Sequence, residues 1–175
     1  MTIEQLIDQL PDYAKDIKLN FSSILSENGA DDLSQKQIYQ IALAAAYTTK
    51  NINLISVLAE KAADYLSPNE MNGMKAAASI MSMNNIYYRF IHLVSDKTYA
   101  SMPAKLRMNI IANHGINKID FELACLAVSA INGCGMCMEA HTNTLVKNNV
   151  TKQAIQSTIR IAAVLNATAF STNLG

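Results

Sequence analysis

The chain has 175 residues, half of them hydrophobic, and its 14 Lys and Arg residues balance 14 Asp and Glu residues. This length suits one compact domain that buries its own core without a zinc or disulfide scaffold. Because the net charge is zero, the basic footprint of a nucleic-acid-binding protein is missing, which leaves proteins and small molecules as partners.

The N-terminal residues Met1–Asp8 lack the basic start and unbroken apolar run of a signal peptide. No stretch of the chain reads as long and apolar enough to cross a bilayer, so we expect a cytoplasmic protein without a membrane span. In a reducing compartment, two cysteines close in sequence are more often catalytic or metal-binding than structural.

Helical signals dominate, and no segment shows the period-two alternation of a β-strand, so the predicted fold class is all-α. Ser34 and Gln37 have the spacing of a capping box, as do Ser67 and Glu70, with Pro68 at the first helical position of the second helix. Helices are therefore predicted to begin near residues 35 and 68.

In the C-terminal part, Asp120 is the candidate N-cap of a helix Phe121–Ile131, which is interrupted at Asn132–Gly133. A further helix follows this break and extends to about Lys147, and Thr151 can cap the last helix.

The chain also shows a weak internal match, in which residues from Tyr39 onward pair with residues from Phe121 onward. It predicts a single domain, residues 1–175, with a degenerate half at about 35–85 and an active half at about 117–170, although any two helical hairpins share such a pattern. In this register Gln40 faces Glu122, Ile52 faces Cys134, Ile55 faces Cys137 and Ala59 faces His141. One half would then be scaffold and the other half the site.

The most informative segment is Ala130–His141, in which Cys134, Cys137 and His141 recur at i, i+3 and i+7 on one stripe of a helix. Two thiols this close can form a disulfide by exchanging electrons with a partner, and an adjacent imidazole can make one of them a thiolate. The segment therefore predicts thiol redox chemistry.

Two arguments disagree about which thiol is the more acidic. Cys134 lies in the first turn after the Asn132–Gly133 break, where the helix dipole favours a thiolate. His141 is one helical turn beyond Cys137, within reach of its proton directly or through a water. These residues alone leave both assignments open.

A catalytic imidazole also needs its second nitrogen held, commonly by a carboxylate, and the two candidates are Glu122 and Glu139. Glu139 is two residues from His141 and points to another face of the helix. Glu122 belongs to the preceding helix, which a hairpin would lay alongside, but it could instead serve the helix dipole in its own first turn.

Other uses of the cluster have less support. A structural zinc site needs a fourth ligand and the remaining His92 and His114 are isolated, so no metal is predicted. Covalent haem needs a histidine where Met138 stands, and the thioredoxin motif follows a strand. Cys125 is predicted to be a small buried hydrophobe, and the methionines of residues 71–83 to fill gaps between helices.

Several stretches resemble the alkyl hydroperoxide reductase D family, in the carboxymuconolactone-decarboxylase-like superfamily of helical proteins. They are Leu10–Leu19, Met81–Arg89, Leu106–Asn113, Phe121–Leu123 and Ala127–Cys134, together with Glu122, Cys134, Cys137 and His141 in the spacing of the family. The resemblance spans the chain, and the flanks make it more specific than a bare Cys-x-x-Cys.

The resemblance implies an all-helical subunit with two related halves, assembled as a homotrimer, with an antioxidant role. Dihydrolipoamide on the lipoylated acyltransferase subunit of a 2-oxoacid dehydrogenase complex would reduce the cysteine pair, and no cofactor would be tightly bound. The pair would then reduce a peroxiredoxin, alkyl hydroperoxide reductase C, or consume hydroperoxides directly.

A role for each site residue also follows from the resemblance. Cys137 would be the peroxidatic cysteine that forms a sulfenic acid, and Cys134 the proton donor that resolves it as a disulfide. Glu122 and His141 would form the proton relay that activates Cys137. Met136 stands where some members carry a second histidine, so one proton donor or acceptor is missing here.

Two other functions remain as alternatives. One is a decarboxylase of the same superfamily acting on a lactone ring, which would use acid–base residues and not thiols. The other is a non-enzymatic, redox-sensing helical assembly in which oxidation of the pair changes partner or oligomeric state.

Overall fold

The computed structural model describes residues 1–174, in which eight α-helices and three short 3₁₀ helices occur without any β-strand. The all-α prediction is confirmed. No helix in this part of the chain is both long and apolar enough to span a bilayer. The α-helices are α1 (Ile3–Asp8), α2 (Lys15–Ile24), α3 (Gln35–Thr49), α4 (Ile52–Ala62), α5 (Pro68–Leu93), α6 (Lys118–Ile131), α7 (Gly135–Lys147) and α8 (Lys152–Leu174).

Both predicted capping boxes form. The Ser34 hydroxyl accepts from the backbone N–H of Gln37, whose side chain accepts from the backbone N–H of Ser34, and α3 begins at the next residue. Ser67 and Glu70 repeat the arrangement at the start of α5. Each serine cap stabilises its helix by about 1 kcal/mol because it satisfies a backbone donor that has no partner within the helix.

The predicted cap of α6 is wrong. Asn117 caps the helix, since its side-chain oxygen accepts from the backbone N–H groups of Ile119 and Asp120. Asp120 lies inside the helix and is buried, where its carboxylate accepts from the side-chain amide of Gln37 on α3 at 3.0 Å. The cap lies three residues earlier because Asp120 faces α3 and does not face its own first turn.

The other predicted boundaries in the C-terminal part are confirmed. Asn132 and Gly133 separate α6 from α7, and α7 ends at Lys147. Thr151 lies just before α8, and its hydroxyl accepts from the backbone N–H of Ala154 at 3.1 Å.

Two helices, α3 and α6, form the centre of the molecule. Residues 38–46 of α3 and 123–129 of α6 are buried, as expected for helices that are apolar on every side. Helices α5 and α8 each pack against both of them, whereas α7 packs against α6 and α5. This arrangement places the face of α7 that carries the cysteines between α5 and α6.

The predicted internal match has a counterpart in the order of the helices. The helices α3, α4 and α5 begin at Gln35, Ile52 and Pro68, and α6, α7 and α8 begin at Lys118, Gly135 and Lys152, with similar spacing. The division of the domain into two related halves itself stays a prediction.

Candidate functional site

The site is built on the turn between α6 and α7. Gly133 adopts a left-handed backbone with φ +69°, a conformation that glycine takes without steric cost. Beyond it, the backbone N–H of Cys134 donates to the carbonyl of Ser129 at 3.0 Å, which closes the end of α6. Cys134 is itself the N-cap of α7, because its sulfur accepts from the backbone N–H of Cys137 at 3.3 Å.

Cys134 and Cys137 are joined as a disulfide, with their Cα atoms 5.3 Å apart. This separation lies within the range in which a disulfide forms without moving the backbone. Both residues are buried, and the sulfur of Cys137 lies 4.0 Å from the backbone oxygen of Asn84 on α5. The two cysteines predicted to act together are therefore close enough to form a disulfide, and they are bonded in this structure.

His141 and Glu122 form the second part of the site. Nδ1 of the imidazole lies 2.7 Å from Oε2 of Glu122, and each side chain is 13% exposed. Glu139, the other carboxylate considered, is exposed on α7. The packing of α7 against α6 thus brings to the imidazole Glu122, the carboxylate that the resemblance implied, and not Glu139.

Nε2 of His141 points to α5, where it lies 3.3 Å from the sulfur of Met81. Met81 is 2% exposed, and sequence reasoning treated it as one of several packing methionines. Its spacing of three residues from Asn84, which contacts Cys137, puts both on one face of α5. The sequence offered only this spacing as a sign that Met81 belongs to the site. The docking of α5 against α7 is what brings Met81 to His141.

A chain of polar groups, which runs from buried Ser129 and Asn85 to half-buried Asn132 and exposed Arg89, supports the turn from the side of α5. The side-chain amide of Asn85 donates to the hydroxyl of Ser129 at 2.9 Å, and the amide of Asn132 donates to Asn85 Oδ1 at 3.0 Å. Arg89 donates to the backbone oxygen of Asn132 at 2.8 Å. An unpaired buried amide lowers the stability of the fold, so these hydrogen bonds hold the turn against α5.

Cys125 is a separate thiol, free and fully buried on α6, as predicted. Burial raises its thiol pKa well above the ordinary value of 9.0, and the negative charge of Glu122 adds to the increase. At neutral pH this sulfur is held as an inert thiol, because the thiolate is the reactive form.

The two remaining histidines lie outside this cluster. The ring of His114 stacks on Phe121 with centroids 4.1 Å apart, and its Nδ1 accepts from the backbone N–H of Ile116. His92 is exposed. Among residues 1–174, no group of three or more His, Cys, Asp or Glu side chains has the arrangement of a metal site.

Comparison with known proteins gives the following relatives. A family model described as the Carboxymuconolactone decarboxylase family matches residues 98–172, which include Glu122, Cys134, Cys137 and His141. Three relatives named alkyl hydroperoxide reductase AhpD align over nearly the full chain. That of Coxiella burnetii (strain Dugway 5J108-111) is 60% identical over 162 residues, 93% of this chain and 92% of the relative. The relative from Rhodopseudomonas palustris (strain BisA53) is 49% identical over 175 residues, 100% of this chain and 95% of the relative. The relative from Brucella abortus (strain 2308) is 47% identical over 171 residues, 98% of this chain and 96% of the relative.

Proposed function

The chain belongs to the alkyl hydroperoxide reductase AhpD family, and on that premise we propose that it is an antioxidant thiol peroxidase and disulfide reductase. Electrons pass from dihydrolipoamide, the reductant, through the pair Cys134 and Cys137 to hydroperoxides or to a peroxiredoxin. The reductant is carried by the lipoylated acyltransferase subunit of a 2-oxoacid dehydrogenase complex. The reaction belongs in a reducing compartment, the cytoplasm, because the pair must return to thiols in every cycle.

The chemistry proceeds in three steps. The thiolate of Cys137 attacks one oxygen of the hydroperoxide, the O–O bond breaks, and the alkoxide leaves as an alcohol with the proton of the Cys134 thiol, while Cys137 becomes a sulfenic acid. The thiolate of Cys134 then attacks the sulfur of Cys137 to form the disulfide, and the hydroxide that leaves takes a proton from solvent to become water. Dihydrolipoamide finally reduces this disulfide to two thiols and is itself oxidised to lipoamide.

The observation that carries the proposal is the contact between Glu122 and His141 one helical turn beyond Cys137. A carboxylate on Nδ1 orients the ring and stabilises its protonated form, which is the form produced when the imidazole takes a proton from a thiol. In the reduced enzyme this relay activates Cys137, whereas in the disulfide form the sulfur has no proton to give. The buried Cys125 has no part in the cycle.

We also propose that the protein assembles as a homotrimer. Ile86, Phe90 and Leu93 form an exposed apolar stripe on α5, with exposed fractions of 67%, 48% and 72%. Their spacing puts them on one helix face, and a contiguous exposed apolar surface is typical of protein interfaces. Size-exclusion chromatography with light scattering tests this, since Leu93→Glu is expected to elute as a smaller species than the wild type.

A decarboxylase of the same superfamily is the second candidate, because the matching family model carries that name. Such an enzyme has no use for a cysteine pair, and turnover would survive replacement of both thiols. A redox-sensing assembly is the third candidate, in which the disulfide alters partner choice and no peroxide is consumed.

The decisive experiment is a coupled assay in which NADH and lipoamide dehydrogenase regenerate dihydrolipoamide while hydroperoxide is consumed, with and without a peroxiredoxin. Wild type is compared with Cys137→Ser and with Cys125→Ala, which removes a thiol outside the site. We expect no turnover for Cys137→Ser and nearly normal turnover for Cys125→Ala. Normal peroxide consumption by Cys137→Ser would refute the mechanism, and dependence on the peroxiredoxin would identify the protein as an adaptor.

A further inference from the structure

Both ring nitrogens of His141 face groups that only accept hydrogen bonds. Nδ1 lies 2.7 Å from a carboxylate oxygen of Glu122, and Nε2 lies 3.3 Å from the thioether sulfur of Met81. An ionised carboxylate has no proton to donate, and a thioether sulfur is a weak acceptor without a donor. The imidazole is thus placed between a strong acceptor and a weak acceptor.

Beside an ionised Glu122, a neutral imidazole cannot satisfy both contacts. It carries one N–H, so if Nδ1 donates to Glu122, the lone pair of Nε2 points at the lone pairs of the Met81 sulfur. The imidazolium carries two N–H groups and donates to both neighbours. Because His141 and Glu122 are each only 13% exposed, water has little room to replace either contact.

The position of the Met81 sulfur is itself fixed by its surroundings. Met81 is 2% exposed on α5, and the side-chain amide of Asn85 lies 3.9 Å from the same sulfur. Asn85 is in turn bound to Ser129 on α6. At the ring, α5 therefore supplies the uncharged Met81 and α6 supplies the negative charge of Glu122, while the disulfide lies at the N-terminal end of the same helix as His141.

We propose that Met81 is a positioning residue that holds His141 as an imidazolium while Cys134 and Cys137 form a disulfide. The stored proton then passes to Cys137 when the disulfide is reduced. This inference rests on the proposed function, because it assigns the proton donor for the reductive half of the same cycle.

The protons and electrons of this half-cycle balance. One thiolate of dihydrolipoamide attacks one sulfur of the disulfide, and the other sulfur leaves with the bonding electrons as a thiolate. The second thiolate attacks the resulting mixed disulfide, closes the lipoamide disulfide and releases the remaining cysteine. Whichever sulfur is attacked first, Cys137 leaves once as a thiolate and takes the Nε2 proton of His141, directly or through a water. Cys134 takes one of the two protons that the dithiol releases to solvent, and His141 ends neutral.

A neutral His141 is what the oxidative half requires. The imidazole then takes the proton of the Cys137 thiol before the attack on peroxide, and becomes an imidazolium again. When the disulfide forms, the ring is left charged between Glu122 and Met81, where each N–H has an acceptor. One proton therefore shuttles between His141 and Cys137 through the cycle.

The first test is nitrogen-15 NMR of the histidine side chains at about pH 7 in the disulfide and dithiol forms. A His141→Gln sample assigns the His141 signals among those of the three histidines. We expect both nitrogens of His141 to be protonated in the disulfide form and only one in the dithiol form. A neutral His141 in the disulfide form would overturn the inference.

The second test uses Met81→Leu, which keeps the apolar volume but removes the acceptor, and Met81→Gln, which restores an acceptor oxygen. Met74→Leu is the matched control, because Met74 is a fully buried methionine on the same helix. We expect Met81→Leu to shift His141 towards the neutral form and to slow reduction of the disulfide by dihydrolipoamide about tenfold. This is less than the roughly 10²- to 10⁴-fold effect of losing a general acid, since the imidazole itself remains.

Partial recovery of the imidazolium signal in Met81→Gln, with Met74→Leu unchanged, would support the inference. Equal losses in Met81→Leu and Met74→Leu would overturn it, because packing alone would then explain both. Failure of this inference can be distinguished from failure of the proposed function. If wild type is not reduced by dihydrolipoamide, the proposed function fails, while the NMR signals still decide the role of Met81.

Discussion

Glu122 and His141 are 19 residues apart in sequence, yet a carboxylate oxygen of one lies 2.7 Å from Nδ1 of the other. The contact joins α6 to α7, the two helices on either side of the turn Asn132–Cys134, which we call the redox turn. Cys134 is the N-cap of α7, and Cys137 and His141 lie within that helix. Because the two helices lie side by side, the carboxylate fixes the ring on the cysteine-bearing face of α7.

Replacement of Glu122 by Gln tests this contact. Glu122→Gln keeps the size of the side chain but removes the charge that stabilises a protonated imidazole, so we expect turnover in the coupled dihydrolipoamide assay to fall by about 10- to 100-fold. Glu139→Gln, on the exposed side of α7, should retain wild-type turnover. Equal activity of the two variants would show that the carboxylate at Nδ1 has no catalytic effect.

Replacement of Cys134 by Ser separates the structural and chemical roles of that residue. The sulfur of Cys134 caps α7, and a serine hydroxyl is a good N-cap, so the free energy of unfolding of the reduced protein should change by less than about 1 kcal/mol. The variant cannot resolve a sulfenic acid, so Cys137 should accumulate as one after a single equivalent of peroxide. Mass spectrometry after dimedone trapping measures it, and an unlabelled Cys137 would argue against its assignment as peroxidatic.

Truncation of Asn85 should destabilise the fold strongly. Asn85→Ala removes the partners of Ser129 and Asn132, both at or beside the redox turn, and leaves a buried hydroxyl unsatisfied. We expect a loss of about 2–4 kcal/mol in urea unfolding. Asn72→Ala, at an exposed position of α5, is the control and should change stability by no more than about 0.5 kcal/mol. A similar small effect at Asn85 would mean that the buried bonds contribute little.

A substitution on α3 is expected to raise the free energy of unfolding, measured in the same way. Gln40 is 1% exposed, and neither atom of its side-chain amide has a hydrogen-bond partner within residues 1–174. Gln40→Leu should therefore raise the free energy of unfolding by about 1–2 kcal/mol, since an unpaired buried amide is costly. Gln37→Leu, on the same helix, should instead destabilise, because Gln37 binds Ser34 and Asp120. Loss of stability in Gln40→Leu would contradict this reasoning.

The buried thiol of Cys125 predicts a loss of stability at alkaline pH. Folding raises its pKa above 9.0, so above that pH the native protein binds more protons than the unfolded chain and the free energy of unfolding falls as pH rises. Between about pH 9 and pH 10 this slope approaches about 1.4 kcal/mol per pH unit.

Urea unfolding of the disulfide form at several pH values measures the slope without titration of the other two cysteines. Cys125→Ala should be less stable at neutral pH by about 1 kcal/mol but should show a flatter decline. Tyr39, which is buried, and Tyr47, which is half-buried, also have pKa values raised by burial, and they add a decline at higher pH in both proteins. Parallel curves for wild type and variant would show that Cys125 does not titrate in this range.

Much of the local structure could be predicted from the sequence, because it depends on neighbouring residues. The caps at Ser34 and Ser67, the break at Gly133 and the stripe of Cys134 and Cys137 all follow from side chains within a few positions of one another. The prediction failed at Asp120, where a plausible cap turned out to face α3 and to bind Gln37 across the core. Gln37 is 83 residues from Asp120 in sequence, so the residues around Asp120 give no indication of this partner.

The sequence by itself determined an all-helical chain with a cysteine pair and an imidazole on one helix face, since helical periodicity is a local property. Only the tertiary structure decided what meets that face. The docking of α7 against α6 put Glu122 against the imidazole, a contact that the family resemblance had implied, and its docking against α5 brought in Met81, which no pattern distinguished among nine methionines. Contacts between helices depend on crossing geometry and on which faces are buried together, and these are properties of the whole packed chain.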